Sequence, residues 1–249
     1  MDRFVEIADG FWNIRGSFKL LGLFDAGTQT SLVRLSGGGY VLLDAYRASG
    51  EADRELLART DQGREIRAVL NLHPFHTLHV RAVAQQFPHA RLYGTRRHKA
   101  LAPELPWEAL HTDDPALHAL FADDFRFSVP RGVDLVPSSD RLHFSSVLVL
   151  HRATGTLHVD DTLTWMNVPL FGGLRFHPTL RFALHKRPGA AAEFRAWAEE
   201  LLELCGDVKH ICTAHARPLP PADQSAVERV RGALGHVAKR LDAHERRYG

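Results

Sequence analysis

The chain of 249 residues has only two cysteines, Cys205 and Cys212, too few for a disulfide scaffold. They lie between an expected helix end and the strand after it, and read as buried, reduced thiols. Long apolar runs are also missing. No stretch approaches the ~18 uncharged apolar residues of a membrane span. The start, Met1-Asp2-Arg3-Phe4-Val5-Glu6-Ile7-Ala8-Asp9, has no apolar core of signal-peptide length. These absences lead us to expect a soluble, cytoplasmic protein with no membrane partner. Neither sign of charge dominates: 31 Lys and Arg stand against 29 Asp and Glu, with no basic stripe, which argues against nucleic acid as a partner. Internal repeats and low-complexity tracts are absent as well.

What the chain does have is a hydrophobic content of 45%, enough to bury one large core, and we expect a single domain over 1–249. Strand-like runs recur at Phe11–Ile14, Thr30–Leu35, Tyr40–Asp44, Ala68–Leu72 and Arg91–Tyr93, some separated by glycine turns such as Gly37-Gly38-Gly39. Helical patterns lie between them, at Glu51–Arg59 and from a cap at Thr77 to about Phe87, with Val80, Val83 and Phe87 on one stripe. A second strand group spans Arg141–Val159, with a turn at Ala153-Thr154-Gly155. Helices at Ala190–Leu204 and Ala222–Arg246 flank a strand at Val208–Thr213. Strands and helices in both halves predict an α/β protein with two packed sheets covered by helices. The segment 101–131, with Asp113-Asp114 and Asp123-Asp124, reads as a solvated surface insertion. In the C-terminal helix, Val227, Val230, Leu234, Val237 and Leu241 form one apolar seam, which either docks on the body or forms a homodimer contact.

Histidine is abundant, at 16 residues, and three fall within seven positions directly after the apolar run Ala68–Leu72: His73-Pro74-Phe75-His76-Thr77-Leu78-His79. Imidazole is the commonest protein ligand for zinc and related ions, and a buried strand ending in a His-rich turn holds such ligands rigidly. A metal needs further ligands from other elements. His143 stands at the start of an expected strand, Ser145–His151. Asp161 ends the next strand, with Asp160 as its rival, and His215 follows Val208–Thr213. His151 and His158 are the nearest substitutes among the remaining histidines.

This order of residues resembles the metallo-β-lactamase-fold superfamily of metal-dependent hydrolases, over about Phe4 to Pro218. Its motifs are an early aspartate like that in Val41-Leu42-Leu43-Asp44, then His-x-His-x-Asp-His, a later His, a Gly-Asp at a strand end and a final His-Gly. The resemblance implies a four-layer αββα sandwich of two mixed sheets. It also implies one site of His73, His76 and His143 and a second of His79, Asp161 and His215. There are departures. Leu78 replaces the motif aspartate, Pro74-Phe75 adds a residue to the turn, and Asp160 and Ala216 replace two glycines.

The implied activity is hydrolysis of a small ester, lactone, thioester or amide by hydroxide formed at one or two divalent ions, zinc first, with iron or manganese as alternatives. Asp161 is the catalytic carboxylate of this reading. Two other readings stay open. One is a mononuclear non-haem iron oxidoreductase built on His79, Asp161 and His215, and the other a non-catalytic binding protein on a degenerate scaffold. The apolar stretch from Trp165 to His177, with Arg175, is expected to contact a small-molecule substrate through Trp165, Arg175 and His177. Phe18–Phe24 is expected to act as a flap over the same opening.

Overall fold

The computed structural model describes residues 2–20, 24–139, 142–166, 172–215 and 224–249. The first half builds β1 (Arg3–Ala8), β2 (Phe11–Gly16), the short pair β3 (Lys19–Leu20) and β4 (Phe24–Asp25), β5 (Thr28–Arg34) and β6 (Tyr40–Leu43). Then follow α1 (Gly50–Arg59), β7 (Ile66–Leu70), α2 (Val80–Gln86), β8 (Arg91–Gly94), α3 (Arg96–Leu101) and β9 (Trp107–His111). Seven of these strands form one sheet in the order β1-β2-β5-β6-β7-β8-β9, antiparallel up to β6 and parallel beyond it.

The second half supplies α4 (Pro115–Leu120), β10 (Phe125–Ser128), β11 (Leu148–His151), β12 (Thr156–Val159), β13 (Leu163–Met166), β14 (Gly173–Phe176), α5 (Leu180–Ala183), α6 (Ala190–Leu204), β15 (His210–Thr213) and α7 (Ala226–Tyr248). A four-stranded sheet runs β10-β11-β12-β15, with β12 and β15 parallel, and β13 and β14 form a hairpin beside it.

Alternation along the strands stacks four layers. Val41 and Leu43 on β6, and Ala68 and Leu70 on β7, meet Val149 and Cys212 of the other sheet. Leu42 and Val69 point the other way, onto Leu56, Val80 and Val83 of the first helical layer. On the far side, Leu148, Leu150, Leu157 and Val159 pack under Phe194, Trp197, Val230 and Leu241 of α6 and α7. Both faces of the central strands are therefore covered, which is why they read as continuous apolar runs. The structure is the expected αββα sandwich. The α7 seam docks on this body: Val230, Val237 and Leu241 are buried, and Ser225 caps the helix by accepting from the Glu228 amide.

Three local readings shift. The segment 101–131 supplies β9 to one sheet and β10 to the other, and buries Leu117 and Phe125. Its acidic pairs serve the backbone, Asp114 capping α4 and Asp124 accepting from the Ser36 amide. Thr77 does not cap α2, because the 73–79 segment is wound into turns that use its amides locally: His76 donates to the His73 carbonyl and Thr77 to that of Phe75. The strand expected from Ser145 begins at Leu148, since the Ser146 amide donates to Thr162 Oγ1 and the Val147 amide to the Leu72 carbonyl.

One end of the space between the sheets is polar. On β2 the inward residues run Phe11, Asn13, Arg15, and on β5 they run Val33, Ser31, Gln29, all buried. His158 enters this layer from β12, because Leu157 and Val159 on either side of it face the helices.

Candidate metal centre

The side chains that carry chemistry stand beyond the C-terminal ends of β6, β7, β12 and β15, where α/β sheets gather their sites. Asp44 ends β6 with a positive φ of 62°, which Asp tolerates better than most residues. Its Oδ1 accepts from the Leu72 amide at 2.7 Å and the His73 amide at 3.4 Å, so it anchors the start of the His-rich turn. His73 is fully buried, and its Nε2 lies 3.3 Å from Asp161 Oδ2. His215 Nε2 lies 2.8 Å from Asp161 Oδ1. The His76 ring sits 4.3 Å from that of His73 and 5.8 Å from that of His215, and His143 lies 6.2 Å from His73. His73, His76 and Asp161 each bring a donor atom within 4.8 Å of the others.

A second group lies deeper and shares His76. His76 Nδ1 is 3.8 Å from both Asp44 Oδ2 and Asp160 Oδ1, while His158 Nε2 is 3.5 Å from the former and 3.6 Å from the latter. Asp44, His76 and Asp160 likewise bring donor atoms within 4.8 Å of one another.

Electrostatics separates these groups. Burial pushes the Asp161 carboxyl up, but the imidazoles of His73, His215 and His76 outweigh it and hold the acid well below the usual range. Burial drives His73 well below its ordinary value, toward the neutral ring. For His76 burial also opposes the charge, yet Asp44, Asp160 and Asp161 raise it to about 10. His158 behaves alike, raised to about 9 against burial by Asp160 and Asp44. Burial, and then the neighbouring Asp44, push Asp160 up to about 6.

Hydrogen bonds orient the rings. His215 Nδ1 lies 2.9 Å from the Gly27 carbonyl, which only accepts, so Nδ1 carries the proton and Nε2 faces Asp161. The Phe75 amide, in the lengthened turn at Pro74-Phe75, donates to His73 Nδ1 at 3.2 Å. In the neutral ring this leaves the proton on Nε2, facing Asp161. A cation reaching that nitrogen therefore has to open the Phe75 contact.

Among the described residues eleven buried side-chain atoms have no hydrogen-bond partner, and five of them cluster here: Asp44 Oδ2, His73 Nε2, His158 Nε2, Asp160 Oδ2 and Asp161 Oδ1. The 2.8 Å approach of His215 to Asp161 is an ion-pair distance without hydrogen-bond alignment. Each buried polar atom left in this way costs about 1–3 kcal/mol. All five belong to the two groups just described, and imidazole with carboxylate is a donor set suited to zinc, iron or manganese. The residues fit a divalent cation.

Of the sequence-derived ligands, His73, His76, His143, Asp161 and His215 gather at this place. His79 borders the same cavity, with its ring 4.8 Å from that of Tyr46, and belongs to neither three-residue group. The cavity holds about 90 Å³ and is walled by Phe18, Thr28, Ala45, Phe75 and Leu78 beside the histidines. Leu78, in the motif aspartate's position, is 73% exposed.

The residues expected to touch substrate are spread out. His177 bonds Thr179 and lies in the electrostatic field of Asp161, His215 and His143. Trp165 lies under the Arg229 guanidinium, and Arg175 donates to the carbonyls of Leu174 and Gly172 in its own hairpin. In the expected pocket wall, 167–171 fall outside the described residues, as do 21–23 of the expected flap. From sequence Asp44 enters only as a motif residue of the resemblance and His158 only as a substitute ligand, and the structure brings both into the second group. A usable signal was present in Asn13, Arg15, Gln29 and Ser31, polar at period two within strands whose partners are apolar.

No protein-family model matches the chain, and no curated protein matches it in sequence. Solved structures do. A metallo-β-lactamase from Erythrobacter litoralis with β-mercaptoethanol in its active site superposes with a TM-score of 0.60 at 15% identity, covering 94% of this chain and 96% of that one. A metallo-β-lactamase from Pseudomonas aeruginosa in a mono-zinc form gives 0.61 at 11% identity, covering 95% and 96%. One from Pontibacter korlensis gives 0.58 at 14%, covering 97% and 99%. The chain has the metallo-β-lactamase fold.

Proposed function

We propose that this chain is a metal-dependent hydrolase acting on a small ester, lactone, thioester or amide. The observation that carries the reading is the convergence of His76, Asp161 and His215 on one cavity, with buried His73 3.3 Å from Asp161 and donor atoms among them that have no hydrogen-bond partner. A divalent ion bound there, zinc first and iron or manganese as alternatives, supplies Lewis acidity and lowers the pKa of a coordinated water.

The chain does the rest. Asp161 stays ionised and faces both His73 and His215, so it offers a charged oxygen to a cation held between them and accepts hydrogen bonds without taking up the proton. His215, held by the Gly27 carbonyl, offers Nε2 alone. The apolar walls from Phe18, Ala45, Phe75 and Leu78 favour a small acyl group and displace water from its reactive carbonyl.

Assay of the purified protein on nitrophenyl esters, lactones and acyl thioesters, before and after chelation, tests the proposal. Hydrolysis abolished by chelator and restored by zinc or manganese is expected, and turnover indifferent to chelation overturns it. One observation favours a second reading, with His73 in the place expected for His79: two imidazoles, of His73 and His215, flank a single carboxylate, the ligand set of non-haem iron oxygen chemistry. Iron as the bound ion, with oxygen consumption, would select it.

A further inference from the structure

Leu78 removes the carboxylate that the resemblance assigns to a second cation, yet the chain carries two buried carboxylates elsewhere in the same region, Asp44 and Asp160. We propose that Asp44, His76, Asp160 and His158 form a second, inner cation site, set between the sheets behind the cavity, that replaces the one lost with the motif aspartate.

Distances make the first case. The four contacts between imidazole nitrogens and carboxylate oxygens measure 3.5, 3.6, 3.8 and 3.8 Å. These are too long for good hydrogen bonds. Ligands at about 2.0–2.2 Å from a tetrahedral ion stand about 3.3–3.6 Å apart, so small inward movements close the shell.

Outer contacts make the second. Asp44 Oδ1 is held by the Leu72 and His73 amides, which leaves Oδ2 turned inward without a partner. His158 Nδ1 is 2.9 Å from Ser31 Oγ, which itself accepts from Asn13 Nδ2, and this leaves Nε2 without a partner between the two acids. Gln29 Nε2 reaches Asp160 Oδ1 at 3.4 Å and the Val159 carbonyl at 3.1 Å, steadying Asp160, whose Oδ2 has no partner. Asp44 and His158 are thus gripped on one side and open on the other, the pattern by which outer groups orient metal ligands, while Asp160 is steadied at Oδ1, the oxygen that faces both imidazoles.

Asp44, His158 and Asp160 are at most 1% exposed. The site is therefore closed, and two imidazoles with two carboxylates suit zinc in a supporting role, since a closed four-ligand shell leaves no open position for substrate. Its ion neutralises two adjacent buried acids and fixes His76, the residue shared with the outer centre. The inference rests on the hydrolase reading only through that shared histidine.

Zinc titration and cobalt substitution of the whole chain test it, with fold checked by circular dichroism. Wild type is expected to bind two ions. Asp160→Asn and His158→Gln should each lose one ion while Asp161→Asn loses the other, and the cobalt form of Asp161→Asn should keep the intense visible absorption of a four-coordinate ion. Ser31→Ala keeps all four ligands and should weaken one site by about 10–100-fold. Two ions in folded Asp160→Asn and His158→Gln, or one ion in wild type that only Asp161→Asn removes, would overturn the inner site and leave the outer centre standing. Loss of all binding in folded Asp161→Asn would overturn it too.

Discussion

Replacing Asp161 by Asn is the sharpest test of the outer centre, because it keeps the side chain's shape and removes its charge. The carboxylate is 3% exposed and lies 3.3 Å from His73 Nε2 and 2.8 Å from His215 Nε2, so any ion ligated by either ring lies beside it. At an effective dielectric near 20, a unit negative charge about 4 Å from a divalent ion contributes about 8 kcal/mol before relaxation of the surrounding protein and solvent. A neutral amide is cheaper to bury and still offers one oxygen, which returns part of that energy. The outer ion is then expected to bind about a hundredfold more weakly or worse. Competition against a chromophoric chelator reads the affinity, with circular dichroism to confirm the fold. A folded variant whose outer-site affinity stays within about threefold of wild type would refute the assignment of Asp161 as a ligand.

Other consequences follow from burial and charge. In the metal-free chain His76 and His158 are raised to about 10 and about 9, so both carry protons at pH 7. Zinc must displace them, and its affinity should rise between pH 6 and pH 8, with a calorimetric heat that depends on the buffer's ionisation enthalpy; a pH-independent affinity with no proton release counts against this. Burial pushes Cys205 and Cys212 up to about 12, so neither thiol of the native protein should react appreciably with Ellman's reagent at pH 8, while both should react in denaturant. Leu241→Ala empties a fully buried position under α7 and should cost about 2–5 kcal/mol in urea unfolding; a loss below about 1 kcal/mol would mean that α7 is not docked as described.

The layered fold was legible because apolar periodicity reports burial, and strands such as Tyr40–Leu43 and the helix Ala190–Leu204 carry strong, uninterrupted patterns. Elements blurred where side chains and turns take the backbone donors out of a ladder, as Thr162 does at Ser146 and the His73–His79 turns do ahead of α2. In the site, His73, His76, Asp161 and His215 stood out as chemistry-bearing residues at element ends. His158 did not, since a histidine alternating with Leu157 and Val159 looks like a solvated strand face. Only the facing seven-stranded sheet, which brings Ser31 and Asn13 to cover it, turns that face inward. Asp44 was visible as a motif residue but its role was not: its contact with the Leu72 amide spans 28 residues and exists only once β6 and β7 lie side by side.

Elemental analysis of the purified protein, after equilibration with excess zinc and removal of free ion, tests the central claim most directly. The account predicts tightly held zinc in stoichiometric amount, reduced by Asp161→Asn. A folded chain that retains no divalent metal under these conditions would contradict it, and the histidines and acids between its sheets would then be a buried ion network satisfied by protons alone.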